Sequence, residues 1–453
     1  MSEQTKSKWP IGTYVCDLTF SFERFAFYVA KWLLAIFVAA EAAKGGLGLS
    51  SKEGAVMNSY LVAFTYIAPV IGGYIADYWV SPRLCVTIGT ILMGLGYLCA
   101  WKANGLGMLW AMIILVSVGT GLFKGNVSGV NGRLFGEDQK DQMDSVFSIQ
   151  YSFVNIGSFL GTTIMGALAG KALGYRTVFL ICGIFLFIDC IWWTFVGNAT
   201  FGDAGKKPFK KDNRTKDAAK AKKEESAPLT KVEKQRVAAI LIVTLFSGVF
   251  WFVWYLVYMP VYYHFGPVSE AGAGAANWAL GSFTIPTAWF DSLNALLCIV
   301  LGPTLAAVWA KRAARPQGET LDMFKKTALG MLFMGACVVA MVVADIIRGE
   351  GTCSILWIIL VGILMSLGEM LFSPLGNSFI NKLSPKRLLG TLLGVWPLPI
   401  FIVGLTYGHV FNWLCTLPFK LAYGGVAAVV IIFGVILWAM SGKLNELSNE
   451  DAE

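Results

Sequence analysis

Five ionisable side chains lie inside long apolar stretches of the chain: Glu23, Arg24, Lys31, Lys124 and Glu369. A charged side chain at the centre of a membrane helix costs about 2.5–3.5 kcal/mol on insertion scales, so such residues normally have a partner or a function. Three cations and two acids leave a net positive cavity, which suits a solute that carries a carboxylate, with Glu369 available for an amino group. The competing interpretation is a set of ion pairs that only hold helices together. The aromatic residues around these charges favour a binding site.

Polar and aromatic residues in the same stretches extend this candidate site. Asn155 and Asn294 add hydrogen-bonding groups near the middle of their helices. Aromatic side chains could line the same cavity, although in membrane helices they more often serve packing or interfacial anchoring. Asp77 is a different case, because it stands at a helix end close to Arg83, where we expect a structural latch.

The composition excludes several classes of protein. Hydrophobic residues make up 56% of the 453 residues and charged residues only 14%, against about 25% charged in an average soluble domain. Apolar runs of twenty or more residues predict an all-α membrane protein, not a soluble enzyme or a barrel of short alternating strands. The nine cysteines are scattered without a CxxC pair, and the two histidines are far apart. We therefore expect no metal, no cofactor and no catalytic residue.

The apolar segments predict twelve membrane helices in two six-helix halves. Their expected ranges are 14–42, 54–80, 83–101, 106–133, 142–169, 174–197, 233–265, 284–311, 320–347, 353–382, 388–415 and 419–441. Between the sixth and the seventh, residues 203–236 hold twelve Lys/Arg and six Asp/Glu, a net +6 of the chain's +8. This predicts an N-terminal bundle over 1–200, a basic linker over 201–232 and a C-terminal bundle over 233–453.

The basic residues also predict the orientation in the membrane. The linker and the loops on its side carry most of the Lys and Arg, so by the positive-inside rule the linker and both termini are cytoplasmic. We expect the linker to contact anionic lipid and not nucleic acid. No removable signal peptide is recognised, so the first helix would direct insertion.

Six segments, taken in order, resemble one transporter family. A faint repeat relates GGYIADYWVSPR (72–83) to GPTLAAVWAKRA (302–313), and two six-helix halves joined by a basic linker are the layout of a major facilitator transporter. Within that superfamily the chain resembles the proton-dependent oligopeptide transporter family. The six segments are FERFAFYVAK (22–31), GGYIADYW (72–79), GTGLFKGNVSGVNGRLF (119–135), FSIQYSFVNIGSFL (147–160), FDSLNALLCIVLGPTLAAVW (290–309) and LGEMLFSPLGNSFINKLSPKRLLGTLLGVWPL (367–398).

The resemblance implies roles for single residues in binding. Arg24 and Lys124 resemble cations that bind the substrate carboxylate, Glu369 and two asparagines resemble groups that hold the amino end, and Lys31 takes the position of a cation of the outer gate. It also raises two tyrosines and one tryptophan above a packing role. The candidate substrate-binding residues are Arg24, Tyr28, Lys31, Tyr66, Lys124, Asn155, Asn294, Glu369 and Trp396.

Two further groups of residues follow from the same resemblance. Glu23 resembles an acid of the first helix that pairs with Lys124, and we predict that the two are paired when the site is empty. The candidates for proton coupling are Glu23, Arg24, Lys124 and Glu369. The structural loop motif contains Gly73, Asp77 and Arg83.

Four positions depart from the family pattern. Phe20 replaces an acid, Phe27 a tyrosine and Gly125 a proline, while Tyr255 stands where the seventh helix should carry an acid. Lys31 is therefore expected to lack its usual partner. Only two acids, on the first and tenth helices, would remain in the cavity, so we expect proton coupling to be weakened, altered or absent.

The sequence thus predicts a secondary transporter of di- and tripeptides that works by alternating access and is not an enzyme. The alternative is a carrier of the same family for nitrate, an amino-acid conjugate or a drug-like solute, and retention of Glu369 favours a zwitterion over nitrate. A channel or receptor belongs to a different class, and saturable counterflow would separate a carrier from it. The expected partners are peptides, protons and membrane lipid, and the expected state is a monomer in a bacterial inner membrane.

Overall fold

The structure is a computed structural model, and it describes residues 9–136, 143–169, 173–211, 229–266, 274–314, 321–373, 376–385 and 388–448. Within these ranges the chain is built almost entirely of long helices joined by short connections. The predicted all-α membrane architecture is confirmed.

Six long helices precede the basic segment. They are α1 (Ile11–Ala39), α2 (Ser51–Tyr78), α3 (Pro82–Trp101), α4 (Leu106–Gly132), α5 (Met143–Leu168) and α6 (Tyr175–Trp192). A 3-10 turn (Ala42–Lys44) follows α1, and a π-helical turn (Trp193–Gly197) and a helical turn (Asn198–Thr200) extend α6. A second 3-10 turn spans Phe209–Lys211.

From Lys231 onwards, the described residues form eight helices. They are α7 (Lys231–Tyr263), α8 (Trp289–Ala313), α9 (Met323–Arg348), α10 (Ile355–Phe372), α11 (Gly376–Leu383), α12 (Leu389–Val395), α13 (Leu398–Leu414) and α14 (Phe419–Ser448). Four two-residue strands form two pairs. Strand β1 (Ala276–Asn277) runs parallel to β4 (Cys353–Ser354), and β2 (Ala279–Leu280) runs antiparallel to β3 (Phe283–Thr284).

The eleventh predicted segment is divided in two and becomes α12 and α13. The division falls at Trp396 and Pro397, because a proline has no amide hydrogen with which to continue the helical ladder. Apolar composition predicts the length of such a segment but not a break inside it.

Local capping fixes where several helices begin. Thr230 and Glu233 form a capping box at the start of α7, with the Thr230 hydroxyl accepting from the Glu233 amide at 3.2 Å. Asp322 accepts from the Lys325 amide at 2.7 Å and starts α9. These caps satisfy amide groups that the first turn of a helix leaves without partners.

Eight helices of the described residues are long and apolar enough to cross a membrane, and they include α2, α3, α4, α7, α9 and α14. Two shorter apolar helices, Ile355–Leu371 and Leu398–Leu414, add to them. By contrast, α1 carries four charged side chains, Asp17, Glu23, Arg24 and Lys31. The helix that is least typical of a membrane span is therefore the one richest in candidate functional groups.

The described residues group into two compact units. Unit 1 is drawn from Met1–Ala30, Ile67–Gly161 and Arg176–Thr215, and unit 2 from Lys31–Tyr66, Thr162–Tyr175 and Lys216–Glu453. The boundary between the units crosses α1, α2 and α5, so it does not follow the linker. The division into 1–200, 201–232 and 233–453 stays a prediction.

In unit 1, Arg83 fastens the start of α3 to the chain that follows α6. Its guanidinium donates to the carbonyl oxygens of Ala204 at 2.7 Å and Gly202 at 2.8 Å, and to Asn198 Oδ1 at 2.9 Å. The expected latch between Arg83 and Asp77 is therefore wrong, because these three acceptors bind the guanidinium. Asp77 lies beside Lys210 instead.

Of the two glycines in the loop motif, Gly72 lies at a close helix crossing, and the place of Gly73 in the motif stays a prediction. A Cβ atom at Gly72 would lie 2.0 Å from the carbonyl oxygen of Gly121, so α2 and α4 cross there backbone to backbone. A Cβ atom at Gly73 would meet nothing within 4 Å.

We therefore expect the Gly72→Ala variant to lower the midpoint of thermal unfolding in detergent, because overpacking typically costs about 1–3 kcal/mol. Gly73→Ala is the matched control and should keep or slightly raise the midpoint, since Ala favours a helix by about 0.5–1 kcal/mol over Gly. Equal midpoints in the two variants would contradict the assignment of the close crossing to Gly72.

Candidate functional site

The predicted cation site lies in unit 1, on one turn of α1. The Nε and Nη2 atoms of Arg24 donate to the two carboxylate oxygens of Glu23, and both residues are buried. The guanidinium carbon lies 4.4 Å from the centroid of the Phe27 ring and 5.8 Å from that of Tyr28. These rings add cation–π attraction to the ion pair.

Lys124 of α4 belongs to the same cluster, since it interacts through space with Arg24 and with Glu23. Glu23 forms an ion pair with Arg24, and its predicted pairing with Lys124 stays a prediction. One acid and two cations leave this cluster with a net charge of +1. It therefore has the charge that attracts a carboxylate.

Close helix contacts bring α5 against α1 in the same unit. Cβ atoms added at Gly157 and Gly161 would lie 2.3 Å from the Ser21 carbonyl oxygen and 2.7 Å from that of Phe25. Ser21 donates to the Phe153 carbonyl oxygen at 2.7 Å. Asn155 stands between these contacts, with its amide donating to the carbonyl oxygen of Tyr151 at 3.0 Å. The Asn-x-Gly segment thus places Asn155 in unit 1, together with Arg24.

The predicted acid lies in unit 2, held by two neutral donors. Glu369 of α10 accepts from the Trp254 indole at 3.1 Å and from the Asn294 amide at 3.0 Å, both at Oε2. Asn294 also donates to Ser366 at 3.0 Å, and Glu369 is only 7% exposed. Neutral donors fix the carboxylate without neutralising its charge, so it can still bind a cationic group.

Lys31 forms an ion pair that the sequence did not predict. Its ammonium lies 3.3 Å from the carboxylate of Asp291 on α8, and both residues are buried. Tyr262 donates to the other carboxylate oxygen at 2.6 Å. The ammonium also stands 4.6 Å from the Tyr258 ring centroid and 5.1 Å from that of Trp254. The expectation that Lys31 lacks a partner is therefore wrong, because an acid on α8 takes the place of one on α7.

Neighbouring hydrogen bonds hold the last third of α1 in unit 2. Asn58 of α2 donates to the Lys31 carbonyl oxygen and accepts from the Tyr407 hydroxyl at 2.7 Å. Trp32 donates to Thr287 at 3.1 Å, and Tyr263 donates to the Ala35 carbonyl oxygen at 2.7 Å. The ion pair is thus one contact in a network that joins α1 to α2, α7, α8 and α13.

Two of the predicted aromatic residues, Tyr66 and Trp396, belong to unit 2 and not to the cluster around Arg24. Tyr66 is half-buried on α2 and belongs to unit 2, not to the unit that contains Arg24 and Tyr28. Trp396 packs against Gly376, where an added Cβ would lie 2.1 Å from its ring, and against the apolar cluster of Ile240, Ile380 and Leu392. The contacts that the structure shows for Trp396 are packing contacts.

Sequence reasoning missed three buried carboxyl groups. They are Asp17 on α1, Asp189 on α6 and Asp291 on α8, each at most 3% exposed. The sequence did indicate these residues, because each is an acid in an apolar segment, and Asp291 falls three residues before Asn294. What the sequence did not show was which of these acids would meet a cation.

The known proteins that this chain resembles include transporters. Residues 21–396 match the Major Facilitator Superfamily. The chain is 25% identical over 467 residues to the uncharacterized transporter YclF of Bacillus subtilis, covering 95% of this chain and 94% of that protein. It is 25% identical over 505 residues to the di-/tripeptide transporter of Lactococcus lactis subsp. cremoris, covering 99% and 98%. A crystal structure of the peptide transporter POT in complex with sulfate has the same fold, with a TM-score of 0.85, 23% identity and coverage of 97% and 96%.

The ion pair of Lys31 with Asp291 can be tested by a double-mutant cycle. We expect Asp291→Asn to lower unfolding free energy by about 3–5 kcal/mol, because it leaves a buried ammonium without an opposing charge. The double variant Lys31→Met/Asp291→Asn should lose less than the sum of the two single variants, measured by thermal unfolding in detergent. The exposed pair of Lys44 and Glu41, 3.1 Å apart, gives the control, and Glu41→Gln should leave the midpoint unchanged. Additive losses at Lys31 and Asp291 would show that they are not coupled.

Proposed function

Because the chain belongs to the Major Facilitator Superfamily, we propose that it transports di- and tripeptides across the membrane by alternating access. It is a multi-pass integral membrane transporter and not an enzyme. The resemblance to the proton-dependent oligopeptide transporter family is confirmed by its relatives. We propose the substrate, the coupling ion and the residues that bind them.

The observation that carries the proposal is the separation of charge within the chain. Unit 1 holds a cluster of net charge +1 around Arg24 and Lys124, and unit 2 holds Glu369, which accepts hydrogen bonds from neutral donors and lies within electrostatic reach of Lys31. A peptide is a zwitterion, so its carboxylate matches the first cluster and its ammonium matches Glu369. Nitrate would use the cations but would leave a buried acid without a purpose.

We also propose a location in the cell, an oligomeric state and a coupling ion. The relatives come from bacteria, which supports the inner membrane of a bacterium, and the basic loops support cytoplasmic termini. We propose a monomer that contacts anionic lipid through its linker. The expectation of weak proton coupling assumed that Lys31 is unpaired and that two acids remain. Asp291 removes the first assumption, and the additional buried acids weaken the second, so we propose proton-coupled uptake.

Peptide transport itself can be tested with the purified chain in proteoliposomes. Labelled dialanine should show saturable counterflow against unlabelled dialanine, and nitrate in excess should not compete. Channel-like flux without saturation, or competition by nitrate but not by peptides, would contradict the proposal.

The role of Glu369 can be tested by a change that keeps its shape. We expect Glu369→Gln to weaken binding of free dipeptides tenfold or more, because a hydrogen bond between charged groups contributes about 1.5–3 kcal/mol. N-acetylated dipeptides, which lack the ammonium, should be affected far less. Glu41→Gln removes an exposed acid outside both clusters and serves as the control. An equal loss for free and acetylated peptides would place the amino end elsewhere.

A further inference from the structure

Asp189 is an acid in an otherwise apolar stretch of α6, in the sequence FLFIDCIW. It is fully buried, and neither of its carboxylate oxygens forms a hydrogen bond of ordinary geometry among the described residues, although the Thr19 side chain of α1 is close enough to interact with it. An ionised carboxylate in such surroundings would lose its hydration without compensation, whereas a protonated carboxyl group carries no charge. These surroundings therefore favour the protonated form of the Asp189 carboxyl group.

In the part of the chain that the structure describes, Asp189 interacts with an acid and a hydroxyl group, and no ion pair is recorded for it. On α1, the Thr19 side chain faces it, and Glu23 interacts with it through space as a like charge. Helix α6 packs on α1 through Phe185, whose ring stacks on Phe25 at 4.5 Å, so this juxtaposition is held by the core of unit 1.

The other titratable groups lie around Glu23, and they include two cations, Arg24 and Lys124. Tyr97 of α3 is buried without a partner for its hydroxyl and interacts with Glu23 and Arg24, and Cys182 and Cys190 lie on α6 itself. Both oxygens of Glu23 already bind Arg24. A second negative charge at Asp189 would therefore be repelled by Glu23.

We propose that Asp189 is a proton-binding group of this transporter, and that the proton it holds strengthens the attraction of the cluster of Glu23, Arg24 and Lys124 for a substrate carboxylate. With Asp189 neutral, this cluster keeps its net charge of +1, and with Asp189 ionised the net charge of the four residues is zero. A proton and a carboxylate then favour each other's binding, and linkage makes the effect reciprocal. This inference rests on the proposed function, because the carboxylate is that of the transported peptide.

The variant Asp189→Asn tests the proposal in the full chain, because asparagine has the shape of the protonated acid but carries no exchangeable charge. In proteoliposomes we expect it to keep dialanine counterflow and to lose accumulation driven by an inward proton gradient. Dialanine affinity should fall about tenfold between mildly acidic and alkaline pH in the natural chain and less than about twofold in the variant. Asp189→Glu should restore accumulation.

Asp17→Asn is the matched control, because Asp17 is equally buried and without a hydrogen-bond partner but lies beside Gln150 of α5. It should keep both counterflow and accumulation. Accumulation that survives Asp189→Asn would overturn the proposal. Loss of accumulation in both variants would also overturn it, because the effect would then belong to any buried carboxyl of this unit.

A second measurement does not depend on transport. Infrared spectroscopy of the purified protein should show the band of a protonated carboxyl group, with lower intensity in Asp189→Asn. An unchanged band would contradict the proposal even if the variant failed to transport. If the natural chain carried no peptide, the proposed function would fail, and the infrared result would still decide whether Asp189 holds a proton.

Discussion

Compensation of buried charge is the constraint on which both polar clusters of this transporter depend. A carboxylate or an ammonium group inside a helix bundle loses its hydration, and only an opposite charge or hydrogen bonds at short range offset that loss. Arg24 meets this requirement with its chain neighbour Glu23, and Lys31 meets it with Asp291 of α8. In both pairs aromatic rings cover the cation, so the charge is shielded from lipid as well as neutralised.

The same constraint explains how the chain can depart from the motif of its relatives. Tyr255 has no charge to offer Lys31, and its ring stacks on Tyr407 with centroids 5.0 Å apart. The opposing charge comes instead from α8, through Asp291. A buried ammonium needs a carboxylate within reach, but no particular helix has to supply it. An acid missing at one position is therefore weak evidence that its partner is unpaired.

Much of the fold and part of the site could be predicted from the sequence. Long apolar runs predicted the helices, and charged residues inside them predicted Arg24, Lys124 and Glu369 as buried groups. The partners could not be predicted, because they depend on which faces of two helices meet and at what height. Nothing in the run FDSLNA indicates that Asp291 reaches a lysine 260 positions earlier in the chain. The sequence could not distinguish Gly72 from Gly73 either, because only the crossing of α2 and α4 decides which glycine must remain small.

Trp254 contacts both Glu369 and Lys31 in unit 2. Its indole donates to Glu369 at 3.1 Å, and its ring centroid lies 5.1 Å from the ammonium of Lys31. A ligand ammonium that binds Glu369 would compete with this indole for the same carboxylate and would add a second positive charge close to Lys31. Repulsion between the two cations acts through surroundings of low polarity, where it is poorly screened. Occupation of Glu369 would therefore weaken the attraction that keeps Lys31 on Asp291. The indole that positions Glu369 also lies beside Lys31, so an ammonium group bound at Glu369 would alter the surroundings of the ion pair.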